Sequence, residues 1–217
     1  MYKAPRIPSV SKVLSTTQSP DKKAGLERWR KKVGEKEADR ICNDSKSRGI
    51  YIHGLIENKL KNITPQEHFE NEYLEKLNVD VYWELMEPVV EKIQFPYAIE
   101  QPVVHADLHY QGRFDMLAYW NNKLTIIDFK TKTKPVKEEY LEDDFTQLAA
   151  YAGAIEFNRP ELKVEQGLII AVNPEGSQLF VLNKEQLNGS WNTWCLRLMD
   201  FDQENIEIIN KYLILSN

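Results

Sequence analysis

The chain has 217 residues, of which 42% are apolar and 28% charged, and its formal net charge is −5. This composition is typical of a globular protein, and no apolar run approaches the roughly 20 residues that a membrane-spanning helix needs. Two cysteines, Cys42 and Cys195, are too few for a disulfide framework or a four-cysteine iron–sulfur cluster. We therefore expect a protein of a reducing, cytoplasmic compartment.

The predicted elements follow the order α-α-α-β-β-β-α-β-β-α, which is typical of a central mixed sheet with helices on its faces. Residues 1–20 are rich in Pro, Ser and Thr and are predicted to be extended, with a short apolar run that docks on the core and has Ser9 or Ser11 as its N-cap. Helices are predicted over residues 21–41, 44–60 (capped by Asp44-Ser45), 64–93, 138–157 and 187–213. Strands are predicted over residues 98–104, 113–120, 123–130, 162–172 and 178–181.

The two strands around Asn121-Asn122 predict a hairpin, because asparagine is among the few residues that tolerate a positive φ. With a two-residue turn, Trp120 faces Lys123 and Asp115 lies opposite Asp128. Two carboxylates that face each other repel unless a cation lies between them. Asp128 and Lys130 are two residues apart on one strand, so they share a face. The hairpin therefore predicts a metal site with a basic residue beside it.

Carboxylate oxygens are ligands that suit Mg²⁺ or Mn²⁺. His53 on the preceding helix and Glu100 on the neighbouring strand are candidates to complete the site. Such a site polarises a phosphodiester and activates water, and Lys130 could orient that water or stabilise charge that develops on phosphorus. Gln147 and Tyr151, one turn apart on the next helix, could contact a nucleic-acid strand. Taken singly, each of these residues is more common as an ordinary surface or helix residue.

Together these residues resemble the motifs of the PD-(D/E)xK nuclease superfamily, specifically its RecB-like exonuclease branch. The motifs are a helix with His, a strand with Glu, a Gly-x-x-Asp strand, an Asp-x-Lys-Thr strand and a Gln-x-x-x-Tyr helix. The matching segments, in the same order, are Arg48–His53, Glu100–Val103, Gly112–Asp115, Asp128–Thr131 and Gln147–Tyr151. Residues 100–134 and the lead-in RIPSVSKVL are also similar to the mitochondrial genome maintenance exonuclease group.

The resemblance implies an α/β fold with a restriction-endonuclease-like core, in which a central mixed β-sheet is flanked by helices and preceded by an N-terminal helical region. It also implies a Mg²⁺- or Mn²⁺-dependent exonuclease that cuts single-stranded DNA from free ends. The implied metal ligands are His53, Asp115, Asp128 and the Phe129 carbonyl; the catalytic residues are Lys130, Asp128, Asp115 and Glu100; and the DNA-contacting residues are Gln147, Tyr151, Arg113, Lys132 and Arg48.

We expect one nuclease domain over residues 1–217, made of an N-terminal helical region (1–95), a catalytic sheet core (96–183) and a C-terminal helical segment (184–217). The Glu-rich residues 64–93 could form an arch over the site or an amphipathic helix packed on the sheet. We expect a monomer with no membrane or iron–sulfur partner, in bacterial or phage-infected cytoplasm, because neither a mitochondrial presequence nor a signal peptide is recognisable. The alternatives are a structure-specific or sequence-specific endonuclease, a nucleic-acid-binding module that does not cut, and an interaction protein whose Asp pair is merely solvated.

Overall fold

The computed structural model describes residues 7–62 and 72–214. Its helices are α1 (Val10–Thr16), α2 (Pro20–Val33), α3 (Glu35–Leu60), α4 (Glu72–Lys76), α5 (Val79–Val90), α6 (Glu142–Asn158), α7 (Lys184–Phe201) and α8 (Ile206–Asn210), with short 3-10 turns at Glu138–Tyr140 and Gln203–Asn205. Its strands are β1 (Gln94–His105), β2 (Tyr110–Trp120), β3 (Lys123–Thr131), β4 (Gln166–Asn173) and β5 (Gly176–Leu182). Within the two described ranges, no helix is both long and apolar enough to cross a membrane.

The five strands form one mixed sheet in the order β1-β2-β3-β4-β5. The pairs β1–β2, β2–β3 and β4–β5 are antiparallel, while β3 and β4 are parallel and are connected through α6. A parallel pair needs such a crossover because a tight turn can join only antiparallel neighbours. The predicted α/β class with a central mixed sheet is confirmed.

Each face of the sheet carries its own hydrophobic core. On one face, Ile126 packs with residues of α1, α6 and α7 such as Leu148 and Trp194. On the other face, Ile127 packs with α3 and α5, which contribute Ile52 and Met86 among others. All eight residues of β4 are buried, as expected for a strand covered on both sides. Helices α3 and α6 therefore lie on opposite faces of the central strands.

The N-terminal helices differ from the prediction in where the chain breaks. The break lies at Gly34, whose φ is 86°, and α3 then continues for 26 residues, so that Asp44 lies inside it. Glycine adopts this left-handed conformation without steric cost, and Asp44 is held within the helix by an ion pair with Arg40. The prediction that Asp44-Ser45 caps a helix is therefore wrong.

Two other predictions for the N-terminal region are corrected in part. The short apolar run forms α1 and is not extended; its buried residues dock on the core, and Ser9 is its N-cap, as predicted, accepting from the Lys12 N–H. Of the predicted helix 64–93, residues 64–71 lie outside the described ranges. The rest consists of α4 and α5, separated at Asn78, which has a left-handed φ of 53°.

Candidate active site

The hairpin turn and its register agree with the sequence argument, and the ladder stops where the carboxylates would meet. Asn121 and Asn122 both have positive φ, and Trp120 pairs with Lys123. Pairing continues to Met116 and Ile127, one residue short of Asp115 and Asp128. Beyond that point, among the strands of the described ranges, β2 pairs only with β1, and β3 only with β4. The candidate site lies in this fork of the sheet.

Side chains from three elements converge at the fork. His53 of α3 places Nδ1 3.0 Å from Glu100 Oε1 and 3.7 Å from Asp115 Oδ1, and its Nε2 is 3.1 Å from the Phe129 carbonyl oxygen. One ligand atom each of His53, Glu100 and Asp115 lies within 4.8 Å of the others. The other Asp115 oxygen, Oδ2, accepts a 2.9 Å hydrogen bond from the Phe129 N–H, which fixes the carboxylate against β3.

Glu100 reaches this cluster from a strained backbone. Its φ of 50° lies in the left-handed region, where a non-glycine residue costs about 1–2 kcal/mol. Its neighbours keep the regular β1–β2 register, with Ile99 opposite Met116 and Gln101 opposite Phe114. Such a strained conformation persists only where the surrounding structure holds it in place, and strained residues of this kind cluster at functional sites. Here the strain accompanies a carboxylate that bonds to His53.

Burial disfavours the charged form of the carboxylates in the cluster. Burial raises the pKa of Asp115 to about 7, with a further contribution from the charge of Asp128, and burial also raises the pKa of Asp128. Burial alone would lower the pKa of His53, but the hydrogen bond to Glu100 and the charges of Asp115 and Asp128 outweigh it and raise this pKa to about 9. Carboxylates that burial and mutual repulsion destabilise are the groups that a cation would stabilise.

The donor set fits a hard divalent cation. Carboxylate and carbonyl oxygens dominate it, together with one imidazole, and such ligands suit Mg²⁺ or Mn²⁺. In addition, the buried Asp128 Oδ2 has no hydrogen-bond donor among the described residues, although Lys130 Nζ forms an ion pair with it at 2.9 Å. Lys130 therefore compensates the charge of this buried oxygen in the structure, and a metal ion bound by Asp128 would share the carboxylate with the lysine.

Lys130 is enclosed by three oxygen-bearing side chains. Its Nζ lies 2.9 Å from Asp128 Oδ2, 3.2 Å from Gln147 Oε1 and 3.3 Å from Asp144 Oδ1. Burial would lower the pKa of Lys130, but the charges of Asp128 and Asp144 outweigh it and raise this pKa above its ordinary value. Lys130 is therefore an ammonium ion at neutral pH. Asp144 was not among the predicted site residues, although it lies three residues before Gln147, a spacing that places both on one helix face.

The predicted pair Gln147 and Tyr151 lies behind the lysine. Gln147 accepts from Lys130 and donates through Nε2 to the Tyr151 hydroxyl, at 3.1 Å. Tyr151 is only 5% exposed, and its ring packs on the backbone of Gly112. In this conformation Tyr151 has no open face on which a base could stack. Gln147 links the Tyr151 hydroxyl to Lys130 Nζ, and the DNA contact of this pair stays a prediction.

The three predicted DNA-contacting cations occupy different environments. Arg113 is exposed and lines an open groove of about 480 Å³ beside α3, together with His53 and Glu100. Lys132 Nζ lies 3.8 Å from Asp144 Oδ2. Arg48 is 7% exposed, and its guanidinium lies over the Tyr82 ring at 4.4 Å from the ring centroid. The structure thus places Arg113 at the groove and Arg48 against the protein interior.

Comparison with known proteins identifies relatives of the whole region. The family model described as the PD-(D/E)XK nuclease superfamily matches residues 10–209. Mitochondrial genome maintenance exonuclease 1 of Mus musculus is 28% identical over 212 residues, which cover 91% of this chain and 60% of the relative. The Xenopus tropicalis protein of the same name is 30% identical over 211 residues, which cover 93% of this chain and 59% of the relative. The chain therefore spans about 60% of the length of these curated relatives.

A solved structure shares the fold. The crystal structure of a candidate exonuclease from Eubacterium rectale superimposes with a TM-score of 0.51 at 12% sequence identity, covering 79% of this chain and 69% of that one. At this identity the similarity shows the fold alone.

Proposed function

Because the chain belongs to the PD-(D/E)XK nuclease superfamily, we propose that it is a Mg²⁺- or Mn²⁺-dependent exonuclease that hydrolyses single-stranded DNA from free ends. The observation that carries the proposal is the fork of the sheet, where His53, Glu100 and Asp115 converge beside an enclosed Lys130. The names of the curated relatives, which are exonucleases, support the exonuclease class. The chemistry of such an enzyme serves DNA replication, recombination or repair.

His53, Asp115, Asp128 and the Phe129 carbonyl would hold the metal ion, with Glu100 beside them. When bound, such an ion supplies Lewis-acid polarisation of the phosphodiester and lowers the pKa of a coordinated water. The hydrogen bond from the Phe129 N–H leaves the second Asp115 oxygen directed toward His53, so the carboxylate can serve both contacts. Preorganised ligands of this kind reduce the reorganisation that catalysis would otherwise require.

Lys130 has an electrostatic role in this proposal. The charges of Asp128 and Asp144 outweigh burial and raise the pKa of Lys130, so its side chain carries an ammonium ion at neutral pH. An ammonium group beside the metal ligands can donate hydrogen bonds to phosphate oxygens or to the attacking water as negative charge develops. Asp128, Asp144 and Gln147 hold it in place for that task.

The groove beside α3 supports a single strand as the substrate. Gly49 and Gly54 line it and leave room for a ligand because they carry no side chain, and Ile50, which is 66% exposed, also lines it. Arg113 contributes a positive charge to the same groove. Unpaired bases and phosphates need apolar and cationic partners respectively, and this groove offers both beside His53.

The test uses linear single-stranded DNA labelled at its 5′ or 3′ end, with Mg²⁺, with Mn²⁺ or with EDTA. We expect metal-dependent loss of the label or stepwise shortening, and no cleavage of a covalently closed single-stranded circle. Asp128→Ala and Lys130→Ala should each abolish cleavage while DNA binding persists, because both remove groups required in the transition state. Lys163→Ala, which removes an exposed lysine away from the fork, is the matched control and should remain active.

The same experiment separates the alternatives. Digestion of the closed circle would favour an endonuclease on the same core. Binding of DNA without cleavage under any metal condition would favour a module that does not cut. Full activity in Lys130→Ala would contradict the role assigned to the lysine.

A further inference from the structure

Asp144, in the first turn of α6, contacts two lysines of β3 at once. Its Oδ1 lies 3.3 Å from Lys130 Nζ, and its Oδ2 lies 3.8 Å from Lys132 Nζ. The Asp144 side chain is 19% exposed, so these ion pairs are partly shielded from water and from salt. A carboxylate that bridges two lysines two residues apart fixes the direction of both side chains relative to α6.

The need for Asp144 follows from the double use of Asp128. In the structure Asp128 is the nearest anion to Lys130, at 2.9 Å, and the proposed function assigns the same carboxylate to the metal ion. A cation that draws on Asp128 would weaken its hold on Lys130 and would also repel the ammonium group. Gln147 is neutral and cannot supply a compensating charge. Among the described residues, Asp144 is the other carboxylate that pairs with Lys130.

We propose that Asp144 is the positioning residue for Lys130, and that its carboxylate keeps the ammonium group at the fork while Asp128 is shared with the metal ion. The inference rests on the proposed function, because it assumes that Lys130 takes part in cleavage. Asp144 does not contact the reacting atoms itself. It acts through Lys130. Its second oxygen, Oδ2, also draws the Lys132 ammonium group toward the first turn of α6.

The experiment compares Asp144→Asn with Asp143→Asn in the full chain. Asp143 is the adjacent residue and is also ion-paired, but its partners are Lys22 and Arg197, away from the fork. Asp144→Asn should lower kcat for single-stranded DNA about 10–100-fold, the usual effect of removing a supporting residue around a metal site, with little change in KM. Asp144→Glu, which restores the carboxylate, should recover part of that loss. Asp143→Asn should keep kcat.

A second readout does not depend on activity. The ¹⁵N–¹H signal of the Lys130 ammonium group, assigned by its absence from Lys130→Met, reports whether the group is held and protected from exchange. We expect this signal in the wild type and in Asp143→Asn, with and without Mg²⁺. In Asp144→Asn it should weaken, and more strongly with Mg²⁺ than without it, because Asp128 is then shared.

Two results would overturn the inference. One is an Asp144→Asn variant that keeps both wild-type kcat and the Lys130 signal. The other is a variant that loses kcat while the Lys130 signal is unchanged, since the residue would then act by another route. A wild-type chain without metal-dependent cleavage would refute the proposed function instead, and the Lys130 signal would still show whether Asp144 holds the lysine.

Discussion

Gly112 provides a sharp test of how the lysine is positioned. A Cβ added there would lie 2.4 Å from Cε1 of the Tyr151 ring, whereas carbon atoms in ordinary contact are about 3.5–4.0 Å apart. Gly112→Ala therefore requires the ring to move by about 1 Å or more. Since the Tyr151 hydroxyl accepts from Gln147, and Gln147 accepts from Lys130, that movement is transmitted to the ammonium group.

Gly112→Ala is expected to lower both the stability of the fold and the catalytic rate, and each loss has its own assay. Overpacking a filled site costs about 1–3 kcal/mol, and for a chain of this size each kcal/mol lowers the unfolding temperature by about 2–4 °C. A misplacement of about 1 Å can lower the rate about 100-fold. Gly112→Ala should thus lower both the unfolding temperature, measured by calorimetry, and kcat for single-stranded DNA, measured with end-labelled substrate.

Two other glycines provide controls, one in which alanine should destabilise the fold and one in which it should stabilise it. A Cβ at Gly153 would meet the Trp191 ring of α7 at 2.0 Å, and its nearest contacts include no atom of the Lys130–Gln147–Tyr151 chain, so Gly153→Ala should lower stability and leave kcat of the folded enzyme unchanged. A Cβ at Gly189 in α7 would meet no atom of the described residues within 4 Å, so Gly189→Ala should stabilise the fold by up to about 1 kcal/mol. Wild-type kcat in Gly112→Ala would contradict the expectation that movement of the Tyr151 ring is transmitted to Lys130.

Two further predictions concern the hairpin turn and a buried histidine. Because Asn122 has a φ of 62°, Asn122→Gly should raise the unfolding temperature and Asn122→Val should lower it. The β-branched valine should lower the free energy of unfolding by about 1–2 kcal/mol. Equal unfolding temperatures of the two variants would contradict the turn assignment. Burial lowers the pKa of His105 to about 4, although the charge of Asp107 acts in the opposite direction. The folded protein therefore keeps His105 neutral, and its stability falls as the pH is lowered from about 6.5 toward 4, where the unfolded chain binds the proton first. The loss amounts to at most about 3 kcal/mol and should disappear from urea-unfolding curves of His105→Gln; an unchanged pH dependence in that variant would refute the reasoning.

The hairpin was predictable because its determinants are local. Two asparagines set the turn, period-two alternation sets the faces, and the register follows by counting, so the pairing from Trp120–Lys123 to Met116–Ile127 could be inferred from the residue pattern alone. The predicted pairing of Asp115 with Asp128 is wrong, because the ladder ends one pair before them. The order of elements and the mixed sheet follow from similar local patterns. Gly34 shows the limit: Asp44-Ser45 resembles a helix cap, but whether a chain uses it depends on the surrounding ion pairs and on where glycine permits a break.

The contacts of Asp144 and Tyr151 could not be predicted from the sequence. A helical spacing places Asp144 and Gln147 on one face, but only the packing of α6 against β3 shows that this face meets Lys130. Tyr151 is aromatic and follows a glutamine by one turn, which favours a nucleic-acid contact on the sequence alone. The close approach of its ring to Gly112, a contact between residues far apart in the chain, determines that it is buried instead.

The fork of the sheet resolves the electrostatic conflict that the sequence contains. Had the β2–β3 ladder continued by one pair, Asp115 and Asp128 would have faced each other at the short distance of cross-strand neighbours, which is destabilising for like charges. The ladder ends instead, and the Phe129 N–H that has lost a strand partner on this side is satisfied by the Asp115 carboxylate. Asp115 then lies in the cluster with His53 and Glu100, while Lys130 compensates the charge of Asp128 on the α6 side. The fork therefore divides the two acids between two contacts, Asp115 with His53 and Glu100, and Asp128 with Lys130.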